Sequence, residues 1–547
     1  MIKPFQTPSL ERFFLKINPD RNCPTKYNYY FYAKFRDMSK REAFINHIIQ
    51  GYTFKGDAIT IGAAMLDGET LGEAHVKIPL KTLNRHGLIA GATGTGKTVT
   101  LQVLAENLSD FGVPVLLMDI KGDLSGIAQP GEEKSFITER HEKMVIPYQT
   151  KKYPVELLSL SNEKGARMRA TVSEFGPVLL SRILDLSDAQ SGVMSILFKY
   201  CDDKHIPLLD LKDLKKLIQY STDTGKEELE KEYGRISTAT TGSILRKIVE
   251  LEQQGGDLFF GERSFEPEDL LRKDSEGNGY INIIRLTDIQ DRPKLFSTFM
   301  LCLLAEIYAT FPEEGDGDKP KLVIFIEEAH LIFNEASKTL LNQIETIVKL
   351  IRSKGVGIFF VTQNPTDVPQ AVLSQLGLKI QHALRAFTAK DRKAIKLSAE
   401  NYPLSDYYKT DEVLTSLGIG EAFVSALNEK GIPTPLAATM LRAPKSRMDI
   451  LSSDEISNIT DHSQLARKYN ELIDRESAYE ILNQKIARAE EEKVLEKSRK
   501  EREKFERTSQ TTTRKTSTRS RQNPVTKVLS SPTVIRSVLG ILGKILK

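Results

Sequence analysis

Short runs of apolar residues without polar alternation recur along most of the chain, and each run ends in polar or charged residues. The clearest of them occupy residues 86–90, 113–119, 322–326 and 355–362, and residues 279–284 and 379–385 are further strand candidates that include polar residues. Uninterrupted runs of this length are typical of strands that are buried on both faces of a parallel sheet. Between several of the runs, apolar residues recur at helical spacing. The pattern therefore predicts an α/β fold built around a mainly parallel sheet.

The same pattern divides the chain into segments. Residues 58–450 contain the strand runs and are predicted to be the core, whereas residues 1–57 are predicted to be an N-terminal extension of unclear structure. Within the core, residues from about 165 to 275 show helical periodicity. This stretch is predicted to be a helical insertion with a solvated face, since acidic and basic residues alternate along it.

The composition changes after the core. Residues 451–507 are predicted to contain a long charged helix, over 465–505, with few apolar anchors; it could be a coiled coil or a single solvated helix. Residues 508–547 hold eight basic residues and no acidic residue. They are predicted to form a disordered basic linker and then a basic amphipathic helix. A membrane surface, a nucleic acid and a groove on a protein partner are all compatible with such a helix.

A glycine-rich stretch joins the first buried run to a segment with helical spacing. It consists of Gly91, Ala92, Thr93, Gly94, Thr95, Gly96, Lys97 and Thr98, and it fits the pattern G-x-x-x-x-G-K-[ST] at every constrained position. Such a loop points successive N–H groups into one concavity that suits a triphosphate. Lys97 is predicted to reach the β- and γ-phosphates, and the Thr98 hydroxyl to bind magnesium. The stretch predicts ATP and Mg²⁺ as cofactors.

Acidic residues follow two of the buried runs. Glu327 and Glu328 come directly after the run 322–326, at the sheet edge where ligands bind in α/β proteins. Glu327 is predicted to hold magnesium, and Glu328 to polarise the attacking water as a general base. Asp119 and Asp123 lie at the corresponding end of another run. Either acid could position magnesium or water, or could serve only in capping and loop solvation.

Further polar residues stand at or near the ends of predicted strands. Gln363 is predicted to lie near the γ-phosphate, where its amide would orient the water or sense hydrolysis. Arg385 and Arg352 are candidate arginine fingers for the site of a neighbouring subunit, although most surface arginines are simply solvated. His330 could act directly or support the acids beside it. His86 precedes the first run and is predicted to be structural.

Composition and charge narrow the class of protein. The net charge of +4, from 77 basic and 73 acidic residues, is too small to indicate a nucleic-acid partner by itself. Cys23, Cys201 and Cys302 are far apart and lack metal-ligand spacing, which predicts a reducing, cytoplasmic compartment. The start of the chain lacks the apolar core of a signal peptide, and no apolar run is long enough to span a bilayer.

With these motifs in place, the chain resembles the HerA/FtsK class of P-loop ATPases, and most closely the YjgR-like bacterial branch. The landmarks that carry the resemblance are residues 84–89 before the glycine-rich loop, the loop itself, and residues 119–124, 252–257, 328–331 and 362–365. They fall within residues 58 to 445, so the resemblance covers most of the chain. Residues 1–50 lie outside it.

The resemblance implies a RecA-like core, a hexameric ring and ATP hydrolysis at subunit interfaces. Better-known members of the class pump double-stranded DNA through the ring, often with a nuclease partner. One position departs from the pattern, because relatives usually carry aspartate where this chain has Glu327. Glutamate is one methylene longer, so a different magnesium shell and slower hydrolysis are expected.

Two functions follow from these features. The first is an ATP-driven motor, implied by the resemblance to be a ring that acts on DNA. The second is a nucleotide-gated assembly ATPase that ignores DNA and recruits a membrane or protein partner through its C-terminal basic helix. Phosphoryl transfer to another acceptor fits less well, because paired carboxylates after a central strand suit the activation of water.

Overall fold

The computed structural model describes residues 40–512, apart from 290, 291, 316, 335–337, 387, 472 and 474. Of the predicted terminal segments 1–57 and 508–547, residues 1–39 and 513–547 therefore lie outside the described residues. The described residues up to Ile481 form one compact unit, and those from Leu482 onward form a second. The predicted segment boundaries at 58, 451 and 508 stay predictions.

A twelve-stranded sheet organises the first unit. Its strands are β1 (Ala58–Leu66), β2 (Glu69–Pro79), β3 (Gly87–Ala90), β4 (Val115–Asp119), β5 (Val155–Ser159), β6 (Ala166–Arg167), β7 (Ile281–Arg285), β8 (Leu322–Ile326), β9 (Val356–Thr362), β10 (Leu378–His382), β11 (Glu421–Ser425) and β12 (Ala437–Leu441). Their spatial order is β2-β1-β12-β11-β10-β3-β9-β8-β4-β7-β5-β6. Every neighbouring pair from β10 to β6 in this order is parallel, and the pairs from β2 to β10 are antiparallel.

The central strands are buried along their whole length. Every residue of β3, β4, β8 and β9 is inaccessible to solvent, as expected for strands covered on both faces. Each of them lies within a run of apolar residues that the sequence marks as a strand. The predicted α/β class, with a RecA-like and mainly parallel sheet, is confirmed.

Helices connect and flank the strands. They lie at residues 40–51, Lys97–Asp110, Ser135–Met144, Val172–Ile183, Asp188–Asp203, Leu211–Thr222, Lys226–Tyr233, Thr238–Gln253, Gly256–Phe259, Pro293–Thr310, His330–Asn334, Lys338–Ile351, Gln370–Leu373, Ala389–Ala399, Thr410–Ser416, Ser453–His462, Gln464–Tyr469 and Ala478–Thr512. The six helices from Val172 to Phe259 form the insertion that helical periodicity predicted. The first three of these begin with a capping box. In it, the side chain of the N-cap residue accepts the backbone N–H of the third helical residue, whose own side chain accepts the backbone N–H of the N-cap residue.

The structure differs from the single helix predicted over 465–505. Three helices occupy the region after the core, and none of the described residues between Tyr469 and Ala478 is helical. Contacts with the core hold the residues that directly precede the second and the third of these helices. The Ser463 hydroxyl donates to buried Glu156 at 2.5 Å, and the Ser477 hydroxyl donates to buried Asp213 at 2.6 Å. The last helix continues to Thr512, past the predicted start of the disordered linker.

The helix at residues 40–51 packs into the same core as the sheet. Phe44, Ile48 and Tyr52 are almost completely buried and belong to the main apolar cluster. The Tyr52 hydroxyl donates to the carbonyl oxygens of Val424, at 3.1 Å, and Pro435, at 2.7 Å. The described part of the N-terminal segment is thus anchored on the strand β11 and on the loop before β12.

Tyr52→Phe is expected to lower the free energy of unfolding by about 1–2 kcal/mol, because the carbonyl oxygens of Val424 and Pro435 lose the one hydroxyl proton that they share, while the ring still fills its site. Urea unfolding of the full chain measures the change. Tyr479→Phe, at a ring that is 45% exposed, serves as the matched control. An unchanged unfolding midpoint for Tyr52→Phe would show that these hydrogen bonds do not stabilise the fold.

Among the described residues, no helix combines the length and the apolar character that crossing a bilayer requires.

Candidate nucleotide site

The glycine-rich loop lies at the carboxyl end of β3, between the ends of two parallel neighbours. The Gly91 N–H donates to the Thr362 carbonyl in β9 at 3.3 Å, and the Ala92 N–H donates to the Ala383 carbonyl after β10 at 2.9 Å. Both neighbours thereby hold the start of the loop against the sheet. The tip of the loop, at Thr93 and Gly94, is exposed to solvent.

Backbone conformation explains two of the glycines. Gly94 has φ +76° and Gly96 has φ +104°, in the left-handed region that side chains disfavour. A Cβ atom on Gly96 would lie 3.3 Å from the amide nitrogen of Gly420, just before β11. The same Gly420 N–H donates to the Thr95 carbonyl at 3.0 Å. The segment before β11 therefore packs directly on the phosphate-binding loop.

Lys97 and Thr98 begin the helix that follows the loop. The Lys97 ammonium is buried and donates to the carbonyl oxygens of Gly91, at 2.7 Å, and Ala92, at 3.1 Å. Burial lowers the pKa of Lys97, and the nearby charge of Lys121 lowers it further. Burial raises the pKa of Asp123, and the nearby Thr98 side chain offsets part of that rise. Both side chains thus lie where the loop meets the acidic residues of the sheet edge.

Three carboxyl groups meet at this edge. Asp119, Asp123 and Glu327 each offer an oxygen, and these oxygens lie within 4.8 Å of one another. They come together because β4 and β8 are parallel neighbours with their carboxyl ends side by side. The Asp119 carboxylate also accepts the N–H groups of Gly122, at 2.6 Å, and Leu124, at 3.2 Å. Asp119 therefore caps the turn after β4 and also faces Glu327.

The electrostatics of these acids fit a cation. Burial raises the pKa of Glu327 well above its usual range, and the charges of Asp123 and Asp119 raise it further. Burial, followed by the charge of Asp123, raises the pKa of Asp119 to about 6. Within the described part of the chain, Glu327 Oε2 and Asp123 Oδ1 are buried without a hydrogen-bond partner. An all-oxygen donor set with unpaired buried oxygens suits a hard divalent ion such as Mg²⁺.

Glu328 directly follows Glu327 and has a strained backbone. Its φ is +46°, which is unusual for a residue other than glycine and is often found at functional sites. Its Oε1 lies 2.5 Å from the Lys121 ammonium, and its Oε2 lies 3.2 Å from Nδ1 of His330. His330, at the start of a short helix, thus contacts the proposed base directly.

The contact between Glu328 and Lys121 is absent from the sequence-based interpretation, which gave Lys121 no role. A lysine between two acids, Asp119 and Asp123, in the turn after a buried strand was the signal available in the sequence. Nor does the sequence show that Asp119 and Asp123 both lie beside Glu327.

Gln363 and Arg385 lie on the same edge of the sheet as the loop. Gln363 is exposed and follows the last residue of β9, next to the carbonyl of Thr362 that holds Gly91. Arg385 is exposed shortly after β10, and its Nη1 donates to the Thr415 carbonyl at 3.3 Å. Their predicted roles at the γ-phosphate and in a neighbouring site stay predictions.

Arg352 lies at the opposite edge of the sheet. It is an exposed residue in the turn that precedes β9, whereas the loop follows the end of β3. The structure therefore does not bring Arg352 to the loop of its own chain. His86 lies at this same amino edge, where its Nε2 is 2.8 Å from the Val348 carbonyl and its Nδ1 accepts the Ile358 N–H. Burial lowers the pKa of His86 to about 4, which fits a structural role.

Comparisons with known proteins identify the family of the chain. Residues 65–546 match the family model described as "Helicase HerA-like C-terminal". The DNA double-strand break repair helicase HerA of Sulfolobus acidocaldarius is 23% identical over 364 residues, which cover 65% of this chain and 66% of that protein. The probable helicase MJ1565 of Methanocaldococcus jannaschii is 26% identical over 360 residues, with coverages of 65% and 63%. The chain spans just under two thirds of the length of these relatives.

Solved structures show weaker likeness. The bacterial conjugative coupling protein TrwBdeltaN70 is 14% identical and superposes with a TM-score of 0.48. The superposition covers 74% of this chain and 95% of that one. VirB4 of Thermoanaerobacter pseudethanolicus is 17% identical, with a TM-score of 0.46 and coverages of 71% and 97%. The family model, in contrast, spans most of the chain and contains the loop, the acidic residues and Glu328. The chain belongs to the HerA-like helicase C-terminal family and is a P-loop ATPase of the HerA/FtsK class.

Proposed function

We propose that this chain binds ATP with Mg²⁺, hydrolyses it, and works as a hexameric motor on double-stranded DNA. The observation that carries the hydrolytic part is the meeting of three features at one sheet edge. These are the phosphate-binding loop, the three clustered carboxyl groups and the strained Glu328 beside them. Together they supply phosphate contacts, an oxygen-rich cation site and a general base.

Each group has a distinct task in this proposal. The amides of residues 91–96 and the Lys97 ammonium bind the phosphates. Thr98 and Glu327 hold Mg²⁺ with the help of Asp119 and Asp123, and the bound ion neutralises charge on the phosphates. Glu328 takes the proton of the attacking water. Gln363 orients that water from the end of β9.

The family relationship supports the DNA and ring parts of the proposal. Relatives of the chain carry the names "DNA double-strand break repair helicase" and "DNA import protein". In a ring, Arg385 or Arg352 would complete the site of a neighbouring subunit. The position of Arg352, on the sheet edge opposite its own loop, supports this assignment. We also propose a nuclease partner and a membrane or protein contact for the basic tail 508–547.

Steady-state phosphate release from ATP tests the motor. We expect double-stranded DNA to stimulate release at low salt, and the stimulation to fade at moderate salt because binding to phosphates releases counterions. Glu328→Gln serves as the blank for contaminating activity. A rate of phosphate release that exceeds the blank but does not change with DNA at either salt concentration would contradict the motor. It would leave an ATPase that controls assembly, whose localisation then depends on residues 508–547.

A further inference from the structure

The turn after β4 presents Lys121 to the active edge of the sheet. The Asp119 carboxylate accepts the N–H groups of Gly122 and Asp123 on one oxygen and that of Leu124 on the other. Gly122 has φ +81°, which allows the tight turn. A turn with this many internal hydrogen bonds holds Lys121 in a defined position rather than on a free loop.

Lys121 contacts a single partner closely. Its ammonium lies 2.5 Å from Glu328 Oε1, and the side chains are 42% and 10% exposed. The ammonium thus lies in direct contact with a largely buried carboxyl group. A charge-assisted hydrogen bond of this kind is stronger than one between neutral groups.

The two oxygens of Glu328 have different surroundings. Oε1 is taken by Lys121, whereas Oε2 is buried and has no hydrogen-bond partner in the described part of the chain, with His330 Nδ1 at 3.2 Å. Glu328 has a positive φ, so its side chain leaves the backbone in a direction that an ordinary strand or helix residue would not have. Lys121 thus makes the shorter of the two contacts to the carboxyl group, and it leaves Oε2 on the side of His330.

We infer that Lys121 is a positioning residue for ATP hydrolysis, which holds Glu328 by Oε1 so that Oε2 meets the attacking water. This inference rests on the proposed ATPase function. In the step it serves, Oε2 takes a proton from water and the water oxygen forms a bond to the γ-phosphorus. The bond from the γ-phosphorus to the bridging oxygen breaks, and ADP leaves with the electron pair. Lys121 keeps its proton throughout.

The physical reason for such a residue is alignment. A general base must lie within hydrogen-bond reach of the proton that it takes. A carboxylate without the Lys121 contact would rotate, and misplacement by about 1 Å can slow a reaction by about 100-fold. Because Lys121 acts through Glu328 and not on the phosphates, its loss should change the rate of turnover and leave ATP binding in place.

Lys121→Met tests this directly, since methionine keeps the apolar stem and removes the ammonium. In the full chain, kcat for phosphate release is expected to fall by about 10- to 100-fold. KM and the affinity for a fluorescent ATP analogue should stay unchanged, which also shows that the site is folded. Lys121→Arg restores the charge and should recover most of the lost turnover. Lys199→Ala removes an exposed ion pair with Asp203 and is the matched control.

Four outcomes would overturn the inference. An unchanged kcat in Lys121→Met would show that Glu328 needs no such contact, and an increased kcat would show that Lys121 restrains the base. Weaker ATP binding at unchanged kcat would place Lys121 on the phosphates. If the unaltered chain releases no more phosphate than Glu328→Gln, the proposed hydrolysis itself fails and the role of Lys121 fails with it.

Discussion

Glu328→Gln is expected to lower ATP turnover by about 100- to 10,000-fold while nucleotide affinity stays close to that of the unaltered chain. The amide has the size of the carboxylate and still accepts a hydrogen bond from Lys121, but it cannot take a proton from water. Steady-state phosphate release measures turnover, and equilibrium titration with a fluorescent ATP analogue measures binding.

Glu496→Gln provides the control for this variant. It removes a carboxylate of the same length from the exposed helix Ala478–Thr512, where Glu496 pairs only with Lys500 among the contacts seen. Its turnover should match that of the unaltered chain. Equal losses of binding and turnover in Glu328→Gln would contradict the role of general base and would indicate a collapsed site.

Lys97→Ala is expected to give the opposite pattern, with ATP affinity reduced by about 10- to 100-fold, since a charged hydrogen bond contributes about 1.5–3 kcal/mol. The buried ammonium lies within the loop, where it contacts the carbonyl oxygens of Gly91 and Ala92. Its removal takes away the proposed phosphate ligand and also the two hydrogen bonds that stabilise the loop. The same fluorescent titration measures the loss.

The control for Lys97→Ala is Lys164→Ala, because the Lys164 ammonium donates to Ser457 in an exposed contact. Its affinity for ATP should be unchanged. If Lys97→Ala binds ATP as tightly as the unaltered chain and loses only turnover, Lys97 does not bind the ground-state phosphates. The contrasting patterns of Glu328→Gln and Lys97→Ala would separate the chemical step from binding.

Much of the central fold follows from local patterns. Apolar runs without alternation mark β3, β4, β8 and β9 because each of these strands is buried on both faces. The glycines of the phosphate-binding loop are predictable for a similar reason, since Gly94 and Gly96 adopt backbone angles that other residues disfavour. The acids at the tips of β4 and β8 are visible as the residues that end each run.

Other parts of the fold have no such local signal. Phe44, in the helix at residues 40–51, and Tyr52, directly after it, join the core, but the sequence around them does not reveal their partners. The sequence predicts one long charged helix over 465–505, whereas the structure has separate helices there. There Ser463 and Ser477 hydrogen-bond with buried carboxylates of the core, and only the packed structure identifies those contacts.

The sequence by itself determined the α/β class, the phosphate-binding loop and the two glutamates at the end of a central strand. These features depend on residues that are close in sequence, because a short stretch of the chain determines whether a strand is apolar on both faces and whether a loop can adopt its backbone angles. The tertiary structure alone decided that Asp119 and Asp123 join Glu327, that Lys121 holds Glu328, and that Arg352 lies on the opposite edge. Those relations depend on the order of strands in the sheet, which places β4 beside β8 although the segments are far apart in the chain.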